Sequence, residues 1–139
     1  MEKPKKVMLI DDNHPTNFIH TKIITKVKPT TEILVHDKAE EALNHLKSTE
    51  VLPEIIFLDI NMPGMDGWEF LEEYEKMTDF KEKCIIIVML TTSLNPEDVK
   101  KSEKYISING FEHKPLTPEK LQKMFAKYFN QSDSLRKNT

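Results

Sequence analysis

The sequence predicts an α/β fold, a doubly wound parallel sheet of five strands with helices on both faces, and three observations carry that prediction. Short apolar runs alternate with helix-patterned stretches along the chain, the order that βαβ units produce. The central run, Ile55–Leu58 within EIIFLDINMPGMDGWE, is continuously apolar, as a strand covered by helices on both faces must be. It ends on a carboxylate, Asp59, and then breaks into Met62-Pro63-Gly64. Ligands of open α/β sheets bind just outside the carboxyl ends of the strands, so Asp59 stands where chemistry is expected.

The strands are expected at Val7–Ile10, Ile33–Val35, Ile55–Leu58, Ile85–Leu90 and, more weakly, Gly110–Glu112. Between them, apolar residues recur at helical spacing. Ile19, Ile23 and Val27 form the stripe of a first helix; Ala39, Ala42, Leu43 and Leu46 that of a second; Trp68, Leu71 and Tyr74 that of a third. Val99 with Ile106 gives a thin fourth, and Leu121, Met124, Phe125, Tyr128 and Phe129 the fifth and strongest. Pro15, Pro96 and Pro118 stand near helix starts, where a missing N–H costs nothing, and Asn95 and Thr117 are suited to cap the helices that follow them. Trp68 is expected to anchor the third helix in the core. Residues 1–129 read as one domain and 130–139 as a polar C-terminal tail without an output domain.

Composition narrows the function. The 139 residues carry a formal net charge of −3, which does not favour a general nucleic-acid binder. The longest apolar run, Cys84–Leu90, is seven residues and too short to span a membrane. With four consecutive apolar residues, the N-terminus has no signal-peptide core. A single cysteine, Cys84, forms no intrachain disulfide and suits a cytoplasmic location; at the head of an apolar run it is expected to be buried and inert. The five histidines show no metal-ligand spacing and are read as surface or loop residues, His14 and His113 lying near the strand ends.

The polar residues that close the strands are more informative. The first strand ends in Asp11-Asp12, the third in Asp59, the fourth in Thr91-Thr92, and the fifth runs into His113-Lys114-Pro115. A parallel sheet gathers all of these on one edge. Two carboxylates ~4 Å apart repel by about 4 kcal/mol at an effective dielectric near 20, and one lysine does not offset three of them. A hard divalent cation does, and an open oxygen site that keeps waters suits Mg²⁺. Asp59 is then placed to act as a nucleophile toward phosphorus, giving an acyl phosphate, with Thr91 and Lys114 holding the other phosphoryl oxygens.

The segments VMLIDDN, IIFLDINMPGMDGWEFL, IIIVMLTTS and GFEHKPLT, in that order, resemble those of response-regulator receiver domains of two-component phosphorelays, single-domain chemotaxis regulators among them. The resemblance covers about residues 5–129. It implies a flavodoxin-like (βα)5 fold with strand order 2-1-3-4-5. It implies Asp59 as phosphoacceptor, and Mg²⁺ bound by Asp12, Asp59 and the backbone carbonyl of Asn61, with Asp11 acting through water. Thr91 matches the hydroxyl that contacts the phosphoryl group, Lys114 the site lysine, and Phe111 the aromatic that reorients on activation. The family also suggests a cis bond at Lys114-Pro115.

Two positions depart from the family's usual pattern. Thr92 carries an extra methyl where smaller residues are common, which is expected to narrow access to the site. Phe111 lacks a hydroxyl, so a switch through it has to work by packing. Taken alone, Asp11 and Asp12 could equally cap the helix that follows, and Lys120, Lys123 and Lys127 form either a solvated face or a docking surface for an acidic partner.

The reading that accounts for all these residues together is a stand-alone response regulator. It takes a phosphoryl group on Asp59 from a sensor histidine kinase or a histidine phosphotransfer protein and acts on a downstream protein target, with no nucleic acid and no membrane involved. It catalyses only its own phosphorylation and dephosphorylation. The surface expected to change is built by the fourth helix, fifth strand and fifth helix. A receiver-like adaptor that is never phosphorylated ranks second. A haloacid-dehalogenase-type phosphatase ranks third, because its DxDx[TV] motif is replaced here by Asp11-Asp12-Asn13-His14-Pro15.

Overall fold

A computed structural model describes residues 3–77, 79–93 and 95–130, without the side chains of residues 80 and 130. Five parallel strands, β1 (Lys6–Ile10), β2 (Glu32–His36), β3 (Ile55–Asp59), β4 (Ile86–Thr91) and β5 (Ile108–His113), form one sheet in the order β2-β1-β3-β4-β5. This is the expected flavodoxin-like order. The central strand β3 is buried at every residue, which explains its unbroken apolar run. The expected tail lies outside the described residues beyond Asn130.

Alternate residues of the strands feed two cores. Met8, Ile10, Ile56, Leu58, Ile87 and Met89 face α2 (Ala39–Ser48) and α3 (Gly67–Glu75), whose Ala42, Leu46, Phe70, Leu71 and Tyr74 complete that layer. Val7, Leu9, Ile55, Phe57, Val88 and Leu90 face α1 (His14–Val27) and α6 (Pro118–Phe125), which supply Ile24, Leu121, Met124 and Phe125. The period of two along each strand thus becomes two layers, and each fully buried Leu or Ile is worth about 1.5–3 kcal/mol. The last helix runs on as a π-helical turn, Ala126–Asn130. Trp68 is buried at the start of α3, as expected.

The expected caps are present: Asn95 accepts from Glu97 N–H at 2.9 Å and Thr117 from Lys120 N–H at 3.2 Å. The cap of α1 is Asn13, whose Oδ1 accepts from Thr16 N–H at 2.8 Å, so neither Asp11 nor Asp12 is used for capping. Asp66 and Glu69 form a reciprocal capping box on α3, the arrangement that satisfies two orphan N–H groups at once.

Four local expectations are corrected. The buried residues of α1 are Asn17, His20 and Ile24; of the expected stripe, Ile23 and Val27 are partly buried against the core while Ile19 is half exposed, so two buried polar side chains share the inward face with part of the apolar stripe. The fourth expected helix, here α5 (Pro96–Ser102), buries none of its residues; Val99 is 45% exposed, and Ile106, beyond the helix end, 67%. A further short helix, α4 (Phe80–Lys83), precedes β4. Cys84 is exposed, because it ends that helix at φ 55° and turns the chain into β4 instead of opening the strand.

Candidate functional site

The sheet register fixes where the polar strand ends meet. Ile10 pairs with Leu58, Asp59 with Leu90, and Thr91 with His113. The β4–β5 ladder is prolonged by one bond, Lys114 N–H to the Thr91 carbonyl at 2.7 Å, which sets the Lys114 stem beside the end of β4. Lys114-Pro115 is cis, as the resemblance suggests.

Gly67 makes room on the opposite side. A Cβ there would lie 2.5 Å from the Asp59 carbonyl oxygen and 3.1 Å from Ile60 Cα, so the start of α3 can approach the end of β3 only without a side chain. Gly67 N–H donates to the Ile60 carbonyl at 2.9 Å and holds that approach in place. Gly64, at φ 76°, turns the intervening loop.

Out of this framework comes an open cavity of about 240 Å³ lined by Asp11, Asp12, Asn13, Thr16, Asp59, Asn61, Thr91, Thr92 and Lys114. Carboxylate oxygens of Asp11, Asp12 and Asp59 lie within 4.8 Å of one another. Lys114 Nζ donates to Asp11 Oδ2 at 2.6 Å and to Asp59 Oδ1 at 3.0 Å. The other Asp11 oxygen accepts from Asn13 N–H at 2.9 Å. Asp11 and Asp59 are buried and Asp12 is exposed. Burial pushes the Asp59 carboxyl above the ordinary carboxylate range, with Asp11 and Asp12 adding to the rise and Lys114 opposing it. Burial alone would lower Lys114, yet its hydrogen bonds to Asp11 and Asp59 outweigh that and raise it.

The donor set fits a hard cation. Three carboxylates converge on one open cavity with a single ammonium among them, and oxygen-only ligation with space for water is what Mg²⁺ takes. Asn61 and Thr92 are on the wall of the same cavity.

Of the residues singled out from the sequence, Asp11, Asp12, Asp59, Asn61, Thr91, Thr92 and Lys114 share this cavity. Phe111 does not. It is partly buried on β5, pairs in register with Met89, and its ring centroid lies 6.4 Å from that of Trp68. Phe111 and Lys120, Lys123 and Lys127 line a separate groove of about 390 Å³. Thr91 Oγ1 donates to the Ser93 carbonyl at 2.9 Å and accepts from Ser93 N–H at 3.1 Å. His14 is exposed and pairs with Asp37 at 3.0 Å.

Sequence reasoning missed Asn13 and Thr16 on the cavity wall and two buried residues behind it. Asn17 Nδ2 donates to the Asp11 carbonyl at 2.8 Å, and His20 Nε2 accepts from Leu116 N–H at 3.2 Å, both bonds buried. His20 is 2% exposed, which corrects its assignment to the surface. Burial depresses its pKa to about 4; Asp11 opposes the shift and Lys114 reinforces it. The signal that could have found the two buried residues is their spacing: positions 17, 20 and 24 share one helix face, so two polar residues on it alongside Ile24 imply buried hydrogen bonds.

Known proteins with similar chains bear on this site. The hybrid signal transduction histidine kinase C of Dictyostelium discoideum is 32% identical over 133 residues, 90% of this chain but 10% of that protein. The nitrate/nitrite response regulator protein NarL of Escherichia coli K12 is 32% identical over 125 residues, 88% of this chain and 53% of that protein. The chain therefore spans about half, or less, of the length of these curated relatives. Among solved structures, a two component response regulator from Cytophaga hutchinsonii is 34% identical with a TM-score of 0.80, covering 90% of this chain and 96% of that one. The chemotaxis protein CheY4 of Vibrio cholerae is 26% identical with a TM-score of 0.75, covering 89% and 98%. A family model of the response regulator receiver domain matches residues 7–126, and the chain, with the sheet order and acidic cavity of such domains, belongs to that family.

Proposed function

We propose that Asp59 is the phosphoacceptor of this receiver domain and takes its phosphoryl group from the phosphohistidine of a sensor histidine kinase or a histidine phosphotransfer protein. The observation that carries this reading is the bridging of Asp11 and Asp59 by Lys114 Nζ at 2.6 and 3.0 Å inside an open acidic cavity. A carboxylate oxygen of Asp59 attacks phosphorus, the P–N bond of phosphohistidine breaks, and the imidazole leaves with the electron pair and takes up a proton. Lys114 is poised to follow the charge from the carboxylate to a phosphoryl oxygen, and the Thr91 hydroxyl stands on the same wall to accompany it. Asp11, Asp12, Asp59 and the Asn61 carbonyl would hold Mg²⁺, whose charge offsets that of the phosphoryl oxygens when it is bound. The added charge biases a two-state surface that a downstream protein reads.

Intact mass after incubation with acetyl phosphate and Mg²⁺ tests this reading. A single phosphoryl adduct, lost in Asp59→Asn and without the metal, is the expected result. An adduct that persists in Asp59→Asn overturns the assignment of Asp59.

A further inference from the structure

Helix α1 begins three residues after Asp11 and turns two buried polar side chains inward. Asn17 grips the Asp11 backbone, and His20 grips the backbone of Leu116, two residues after Lys114. A spacing of three places both side chains on the same helix face. One rigid turn of helix therefore ties together the two chain segments whose side chains meet in the Lys114–Asp11 ion pair.

The Leu116 bond has a definite reason to exist. Leu116 is 0% exposed, Pro115 before it has no N–H, and a buried N–H needs an acceptor. An apolar side chain at position 20 would fill the same space beside Ile24 but could not accept. Acceptance at Nε2 puts the ring proton on Nδ1 and keeps the ring neutral. Lys114 itself has a long flexible stem, and its backbone N–H is fixed to Thr91 at 2.7 Å. A second anchor on the far side of Pro115 removes the remaining freedom of the loop to swing away from β1.

We propose that His20 is a positioning residue for phosphoryl transfer, which with Asn17 uses α1 as a spacer to hold Lys114 against Asp11 and Asp59. The proposal rests on Asp59 being the phosphoacceptor. His20 contacts neither Asp59 nor the cavity; it acts through Lys114. A small displacement of such a group costs up to about a hundredfold in rate.

The test compares His20→Leu, which removes the acceptor, with His20→Gln, which keeps one. Each is made alone and in a Lys114→Ala background, with folding checked by circular dichroism. Two quantities are read: the rate of Asp59 phosphorylation by acetyl phosphate, and the rate at which the Lys114 amine is acylated by a small reagent, followed by peptide mass. His20→Leu should slow phosphorylation by about ten- to a hundredfold and speed acylation of Lys114, while His20→Gln stays near the parent. In the Lys114→Ala background His20→Leu should have no further effect on phosphorylation, the non-additivity expected of two residues that act as one unit. An equal loss in both backgrounds, or unchanged acylation of Lys114, overturns the proposal. If His20→Leu does not fold, Asn17→Ala cuts the other grip and is read by the same two rates. If the parent takes no phosphoryl group but His20→Leu still speeds acylation of Lys114, the clamp stands and it is Asp59 that is removed as acceptor.

Discussion

His20 is folded into the interior as a neutral base, and acid should therefore destabilise the domain through this one residue. Its pKa is 6.5 when free and about 4 in the folded chain, chiefly because of burial. Between those values the unfolded chain binds a proton that the native one does not, so stability rises with pH across this window and is lost as pH falls through it. A shift of about 2.5 units at 1.36 kcal/mol each sets the full effect at about 3 kcal/mol, of which about 2 kcal/mol is already lost at pH 5. Urea titrations of the parent and His20→Gln between pH 5 and 7.5 measure the difference. Glutamine does not titrate, whereas His36, also lowered mainly by burial, titrates in both proteins and cancels. The parent should lose about 2 kcal/mol more than the variant, a relative shift of the midpoint by about 1 M urea. Parallel stability curves would refute the assignment of His20 as a buried neutral acceptor.

Three further outcomes follow from the structure. Gly67→Ala places a methyl 2.5 Å from the Asp59 carbonyl oxygen, so it should cost about 1–3 kcal/mol in denaturant titration and slow acetyl phosphate labelling; a variant matching the parent in both would show that α3 can move away freely. Lys114→Met leaves buried Asp11 and Asp59 without their cation and should destabilise the metal-free protein by about 3–5 kcal/mol, a deficit that Mg²⁺ reduces if the three carboxylates bind it. Cys84, exposed at its turn, should react with an aromatic disulfide reagent in native buffer in one phase, whereas reaction only after denaturant is added would mean that the thiol is covered.

The sheet was legible because its inner strands are buried on both faces and so carry their signal in every residue. Strand ends were less so: β1 begins at Lys6, β2 runs from Glu32 to His36, and β5 begins at Ile108 and ends at His113, where backbone pairing continues past the continuous apolar runs, through exposed residues such as Glu32 and His113 and partly buried ones such as His36 and Ile108. Asp11, Asp12, Asp59, Thr91 and Lys114 could be gathered onto one edge by topology alone, since parallel strands put their carboxyl ends together. The rotation of α1 could not, because counting apolar residues gives no weight to a histidine that is buried in order to accept a backbone N–H. Cys84 misled for the opposite reason: its neighbours Ile85 to Leu90 are core-like, but Cys84 itself closes a short helix in the left-handed conformation before the strand begins, and there it is exposed.

On the proposed reading, the change that leaves the site has to start at Thr91. Its hydroxyl is committed on both sides to Ser93, so a phosphoryl oxygen can engage it only by competing with those bonds and disturbing the turn that leads into α5. That helix is the one most easily displaced. None of its residues is buried, so moving it forfeits little of the hydrophobic stabilisation that holds the other long helices, and elements with few buried contacts open at the lowest free energy. A cation–π contact joins it to the core side: Lys101 Nζ lies 5.0 Å from the Trp68 ring centroid, and Trp68 also stacks on Tyr105 at 5.6 Å and meets Phe111. Such a contact at the surface is worth about 0.5–1 kcal/mol, less than one charge-assisted hydrogen bond to a phosphoryl oxygen at about 1.5–3 kcal/mol. The two Ser93 bonds given up for it offset part of that gain, about 0.5–1.5 kcal/mol each. On the proposed reading the balance between α5 held and α5 released is therefore a close one, and Phe111, with no hydroxyl, would take part in it by packing alone.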